Sequence, residues 1–461
     1  MSVMPISSIT SKMVSVLGNP EALTPLLIQD SLMSYSLTRF AKKEGGDIER
    51  NDRFIDEFGT MAIWLGGIPF FKKIIDNTMY RAVKLSPQID VRVVQNDAHR
   101  EFAQKFATGD IKKNLEFAVK NKNLTKNMFY TKFGLATALS LASYVGLTKI
   151  RHYFTRKKSE QKVYKELAIK KFSRDLIQQN SKLKFSSLNQ IEKNSSNKVS
   201  FGLTGRGVEA FMFDPALNTA IIDLGILSMR VGTSRPSNNS KHKVFTPERV
   251  EYLAKDGFLF FFYYLFARTM QPKIERVFEK FTKAPIGLDA RALNSENIVK
   301  SFANEKQVQK DLQVFKSAKN DAEVLEFLQK NPDNIITKIS KISDIVRRKG
   351  NTQEIDHGKY IKIDKIKSIA SNVQKMSEKI KNSSGVSVES ILKTSRNYKM
   401  LSILSGFGIC IFSTGYIMPK LLYDVVRKKY NNGSKKFHVQ ERIEQDIKNE
   451  LKKKANKEAV V

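Results

Sequence analysis

Residues 133–150 read FGLATALSLASYVGLTKI, and residues 401–418 read LSILSGFGICIFSTGYIM. Neither run contains a charge before its last turn. Cations follow both, at Lys149, Arg151 and Arg156–Lys158 in the first case and at Lys420 and Arg427–Lys429 in the second. Eighteen helical residues rise about 27 Å, close to the roughly 30 Å of bilayer hydrocarbon. The two runs therefore predict a mainly α chain embedded in a membrane. Small residues recur at every fourth position, as Gly134, Ala138, Ala142 and Gly146 in one run and as Ser402, Gly406, Cys410 and Thr414 in the other. The two sets fall on each other at an offset of 268. A spacing of four puts them on one helix face, where small side chains let backbones approach. These eight are the expected helix-packing residues of a pseudo-symmetric pair.

Working outward, the match between the two runs is the last of four. Residues 9–30 (ITSKMVSVLGNPEALTPLLIQD) resemble residues 203–224 (LTGRGVEAFMFDPALNTAIIDL). The spans Gly59–Pro87 and Gly257–Pro285 are equal in length, and each leads into Asp-x-Arg. Asp110…Leu115-Glu116-Phe117…Asn121 pairs with Asp321…Leu325-Glu326-Phe327…Asn331. Four blocks in one order read as a tandem internal duplication of a helical unit. The expected organisation is a first repeat at 1–165, a basic linker at 166–200, a second repeat at 201–430 and a charged amphipathic tail at 431–461. The offset grows along the chain because the second repeat carries an insertion at about 338–395.

Each repeat also holds a shorter apolar run, at 58–71 (FGTMAIWLGGIPFF) and at 257–267 (GFLFFFYYLFA). Fourteen residues reach only about 21 Å as a helix, which suits a buried, re-entrant or interfacial segment. Gly66-Gly67 and Pro69 favour a bent or broken helix there. If all four runs cross, both termini share a side. If the short runs are re-entrant, 151–255 and 423–461 lie on different sides. The distribution of Lys and Arg does not choose between these arrangements.

The net charge is +33, and it is uneven: residues 1–57 hold six Lys or Arg against eight Asp or Glu, so they carry −2 and the rest carries +35. That balance points to anionic partners, with lipid headgroups ahead of nucleic acid, and it leaves room for a protein partner. Cys410 is the only cysteine, so no intrachain disulfide forms, and its apolar surroundings make it a small hydrophobe. The N-terminus lacks the basic and then unbroken apolar pattern of a cleavable signal peptide, because Lys12, Pro20 and Pro25 interrupt it. The expected location is a membrane, the cytoplasmic one if the source is bacterial.

Between the apolar runs the pattern is helical. Ile366, Ile369, Val373, Met376 and Ile380 recur at steps of three and four, with Lys365, Lys367, Lys375, Lys379 and Lys381 on other faces. This is a basic amphipathic helix, able to lie on an anionic surface, to grip a partner helix or to pack on its own protein. Ile89–Val94 and Tyr360–Ile363 are the best strand candidates.

Candidate binding residues are few. Asp90 with Arg92, and Asp289 with Arg291, occur in matching places after a proline. A carboxylate two residues from a guanidinium either orients it toward a headgroup phosphate or fixes a turn as an ion pair. Asp223 and Arg230 sit within an otherwise apolar stretch, where charge is costly and often functional. Gly202-x-x-Gly205-x-Gly207 has neither dinucleotide-binding spacing nor a phosphate-loop lysine. No nucleophile, general base, metal cluster or cofactor motif stands out. The sequence thus reads as a non-enzymatic integral membrane protein that uses basic helices to engage anionic lipid or a protein partner. A transporter-like protein with a path between the repeats is the first alternative, and a soluble helical nucleic-acid binder the second.

Overall fold

The computed structural model describes residues 10, 13–19, 22–175, 213–233, 247–343, 354–428, 444 and 446–451. The chain is mainly helical, and no strand occurs among the described residues. Most of the linker expected at 166–200, most of the tail, the start of the second repeat at 203–212 and the glycine-rich Gly202–Gly207 lie outside these residues.

Three stretches are long and apolar enough to cross a membrane: Leu23–Tyr80, Lys122–Glu166 and Val388–Arg427. The first folds back on itself. Gly46 has φ 78° and ψ −163° inside the helix Leu23–Ala62, a backbone region open to glycine and costly for other residues. Thirty helical residues would separate Ser31 from Met61 by about 45 Å, yet the Ser31 hydroxyl donates to the Met61 sulfur at 3.4 Å. Residues 23–45 and 47–62 are therefore an antiparallel pair. The helices Pro215–Thr233 and Pro247–Phe260 are also paired, through Arg230 and Asp256.

The expected break near Gly66-Gly67 takes the form of a π-helical turn at Ile63–Gly67. A second π turn occupies Phe261–Phe266, in the other short run. Each such turn shifts the helix face by one residue without ending the helix.

The chain forms two compact units. The first comprises residues 1–25, 68–138 and 264–410. Its main core buries Leu325, Leu328, Ile335, Ile336 and Ile339 with Phe102. The expected amphipathic helix is Ile363–Lys381, and its Ile366, Ile369, Val373 and Met376 are buried in that core. The apolar face is thus covered by the protein's own side chains, while Lys365, Lys367 and Lys375 stay exposed.

The two strand candidates need correction. Val91–Gln95 is a helix, because the Asp90 carboxylate accepts the Arg92 amide and starts a turn. Tyr360–Ile363 is an irregular segment that leads into the helix beginning at Ile363. The polar–apolar alternation in both reflects burial against one core rather than a pleat.

His99 joins these segments. It stacks on the Tyr360 ring at 4.2 Å and donates from Nε2 to the Ile361 carbonyl at 2.8 Å. Burial pushes its imidazole below the ordinary value, against the Ile361 hydrogen bond and the nearby Asp321 and Asp90, and with Arg92 adding to the depression. As pH falls through about 6.5, the unfolded chain takes up a proton that folded His99 resists. Stability should therefore fall from neutral pH downward until the folded pKa is reached. Melting temperature measured against pH should drop more steeply for the parent chain than for His99→Gln.

The second unit comprises residues 26–67, 139–263 and 411–461. It brings together segments far apart in sequence. Arg427 pairs with Glu251, Lys162 with Glu444 and Arg156 with Glu450. Described side chains from 151–255 and from 423 onward are therefore in direct contact within this unit.

The two expected packing faces differ in burial. Ser402, Gly406, Cys410 and Thr414 are all buried, and a side chain at Gly406 would meet Gln271. Gly134, Ala138, Ala142 and Gly146 are all exposed, so the expectation fails for them. The packed face of that helix is Ala136, Ser140 and Tyr144, also at steps of four. A match at offset 266 would have chosen it; two residues turn a helix by about 200°.

Candidate functional site

In the second unit a stripe of charge is buried where charge is normally solvated. Glu49, Asp52, Arg53, Asp56 and Glu57 follow one another at i, i+3, i+4, i+7 and i+8, so they share one face of their helix. Each is at most 5 % exposed. Four other segments supply partners. Arg151 pairs with Asp56 at 2.8 Å and with Asp52 at 3.5 Å, and the Thr155 hydroxyl donates to Asp52 at 2.6 Å. Arg230 reaches Asp56 at 3.0 Å and Asp256 at 2.9 Å, and its Nε donates to the Tyr144 hydroxyl at 3.0 Å. Lys255 holds Glu57 at 2.6 Å. Arg53 pairs with Glu251. Arg427 closes the set, with two bonds to Glu251 at 3.0 and 3.1 Å and one to Glu49 at 2.6 Å. The Tyr423 hydroxyl donates to Glu49 at 2.8 Å.

Acids and bases alternate through this network, which is what makes its burial tolerable. Each charge faces opposite charges at hydrogen-bond distance and so recovers much of its lost hydration. Position along the chain matters as well. Asp56-Glu57 and Lys255-Asp256 immediately precede the short apolar runs, and Arg151 immediately follows a long one.

Beside the network lies a small cleft lined by Asp30, Glu57, Thr60, Trp64, Asp223, Arg230, Asp256 and Tyr263, with apolar residues between them. Trp64 Nε1 and the Tyr263 hydroxyl both donate to Asp30, each at 3.2 Å. The cleft encloses about 40 Å³, room for a few waters and far below the several hundred Å³ of a drug-sized site. Its lining is paired at two recurring spacings. Asp30 and Asp223, and Met33 and Ile226, are 193 positions apart. Glu57 and Asp256, Thr60 and Leu259, and Trp64 and Tyr263 are 199 apart. Among the described residues, no three His, Cys, Asp or Glu side chains are placed to hold a metal ion.

Of the residues singled out from sequence, Arg230 belongs to the network and Asp223 lines the cleft. Asp90 and Asp289 lie in the first unit, where each caps a short helix. Their carboxylates accept the amides of Arg92 and Arg291 at 3.0 and 2.8 Å, and each arginine turns back on its own aspartate, at 2.7 and 3.0 Å. Burial pushes the Asp90 carboxyl up, but the hydrogen bonds and charge of Arg92 outweigh it and hold the group below the usual carboxylate range. Replacing either aspartate with alanine should cost about 0.5–2 kcal/mol. The loss should be larger at Asp289, which also accepts from Ser15 at 2.9 Å. Thermal unfolding of the two variants checks this.

Sequence reasoning missed the stripe at 49–57, which was counted only as local acidity. Its signal is five charges on one helix face directly before an apolar run. No protein-family model, curated protein or solved structure matches the chain.

Proposed function

We propose that this chain is a non-enzymatic integral membrane protein, built from a tandem duplication of one helical unit, with its four apolar runs in the bilayer. The observation that carries the membrane reading is how little of the apolar helices the protein covers. In the three long stretches, only 22, 17 and 33 % of the apolar windows are buried. Leu135, Leu139, Val145 and Ile150 on one helix, and Leu401, Leu404, Ile409 and Phe412 on another, face outward. Continuous apolar surface of this kind is costly in water and suits lipid. The ion-pair network then acts as an internal clasp between helices.

The duplication is supported by local geometry that recurs at matching places. Lys84 and Lys283, 199 apart, are the two non-glycine residues with positive φ among the described residues. The two Asp-x-Arg caps follow them. Asp76 pairs with Lys132 and Glu275 with Lys399. The Asn121 and Asn331 amides each donate to the carbonyl four residues earlier, at a helix end. The paired lining of the cleft adds to these.

Carbonate extraction of membranes from expressing cells tests the membrane reading. Retention in the pellet is expected. Release of intact protein would overturn it and turn the +33 charge toward nucleic acid.

A second reading, a transporter-like protein, is favoured by one observation: the cleft is lined by residues from equivalent places in the two repeats, where duplicated transporters bind their cargo. The volume suits water or a small ion. Flux across sealed vesicles that Asp223→Asn or Asp30→Asn leaves unchanged would remove this reading.

A further inference from the structure

We infer that the outward face of the helix Gln271–Thr282 is a binding surface for anionic phospholipid headgroups. The inference rests on the membrane reading above and places the headgroup contact on named residues. Lys273, Arg276, Val277, Lys280 and Phe281 recur at i, i+3, i+4, i+7 and i+8, so they form one stripe, and all five are exposed. Phe281 is 84 % exposed, the most of any large apolar side chain described. None of the three cations makes an ion pair among the described residues. The acids of the same helix point inward: Glu275 pairs with Lys399 at 2.7 Å, and Glu279 accepts the Ile286 amide at 3.0 Å. The helix has thus sorted its charges, cations outward and anions against the protein.

Two further observations choose lipid as the occupant. The helix follows directly on the apolar run at 257–267, through Phe261–Phe266 and Ala267–Thr269. Cations one to three turns beyond a lipid-embedded segment stand at headgroup depth, and an aromatic among them can enter the acyl boundary. The matching stretch 199 residues earlier exposes the same positions, Ile74, Asn77, Thr78, Arg81 and Ala82. There the stripe has one cation, Arg81, and no aromatic. In the second copy Arg276, Val277 and Phe281 stand where the first has Asn77, Thr78 and Ala82. The exposed face is common to both, while the cluster of three cations with an aromatic belongs to the second alone. Each Lys or Arg near an anionic leaflet adds attraction that zwitterionic lipid does not supply.

The single buried Cys410 makes a site-specific test practicable. In a Cys410→Ala background, a spin label is placed at Val277→Cys or, as a control, at Leu265→Cys within the apolar run. Accessibility to oxygen and to a water-soluble nickel chelate is read for the full chain in nanodiscs of phosphatidylcholine with or without phosphatidylglycerol. With phosphatidylglycerol the label at 277 should be shielded from nickel. Nickel accessibility should rise several-fold in pure phosphatidylcholine, and again in the Lys273→Gln, Arg276→Gln, Lys280→Gln variant. A label at 277 that is open to nickel in anionic discs, while the label at 265 stays in lipid, would overturn the inference and leave the membrane reading intact. Equal shielding in both lipids would overturn the headgroup selectivity. Nickel access at both positions would overturn the membrane reading itself.

Discussion

Arg427→Met should destabilise the protein by about 3–5 kcal/mol, because removing one partner of a buried ion pair leaves the other charge without water and without a counter-ion. Arg427 is 1 % exposed and lies over the Tyr423 ring at 4.3 Å. It bonds Glu251 twice and Glu49 once. After the replacement Glu251 keeps Arg53, whereas Glu49 keeps the Tyr423 hydroxyl. Glu49 is therefore the carboxylate most exposed to the loss, and adding Glu49→Gln should restore part of the stability. The coupling energy of the pair is the loss in the double variant less the losses in Arg427→Met and in Glu49→Gln alone, on the order of 0.5–3 kcal/mol for residues in direct contact. Lys428→Met is the control: Lys428 is exposed and should move stability by no more than about 0.5 kcal/mol. Thermal unfolding in detergent reads all five proteins, the parent included. An Arg427→Met variant as stable as Lys428→Met would mean that the network is not the clasp its geometry describes.

The parts of the fold legible in sequence are those set by short-range periodicity. The helix Ile363–Lys381 was readable because Ile366, Ile369, Val373 and Met376 recur at helical steps, and those residues are the ones buried. The long apolar runs were readable from length and composition alone. The face on which one of them packs was not. Small residues at steps of four fill one register of residues 133–150, whereas the register that packs mixes Ala136 and Ser140 with Tyr144, and choosing it requires knowing which residues lie opposite. The network was hidden for a related reason. A stripe of five charges on a helix ordinarily meets water, and here it is buried only because Arg151, Glu251 and Arg427 arrive from segments 100 to nearly 400 residues away in sequence. Asp90 and Asp289 lie between these cases: the motif was visible in both, but the backbone around Asp90 was read as extended because a buried helix cap and a strand edge both alternate polar with apolar residues. The reversal at Gly46 was carried by the Gly45-Gly46 pair, a turn signal inside a helical pattern.

Ala142→Arg should block stable integration of the helix Lys122–Asp175, whereas Ala142→Leu should be tolerated. Ala142 is exposed near the middle of the run 133–150, with Leu139 and Val145 also outward. On a water-facing surface, arginine at an exposed helix position changes stability by no more than about 0.5 kcal/mol. At the centre of a spanning helix it costs about 2.5–3.5 kcal/mol, which lowers the equilibrium constant for insertion by about two orders of magnitude. The same position thus separates lipid from water by the sign of what is tolerated. Leucine answers a second question, since a larger side chain would be expelled from a face packed through small residues but is accepted where the neighbour is an acyl chain. The contrasting site is Cys410, buried on the packed face of the other long helix, where leucine should overpack and destabilise by about 1–3 kcal/mol. Carbonate-resistant yield and melting temperature of the three variants are the readouts. If Ala142→Arg integrates as well as the parent, the outward face of this helix does not meet lipid, and the exposed apolar surface must be covered by protein instead.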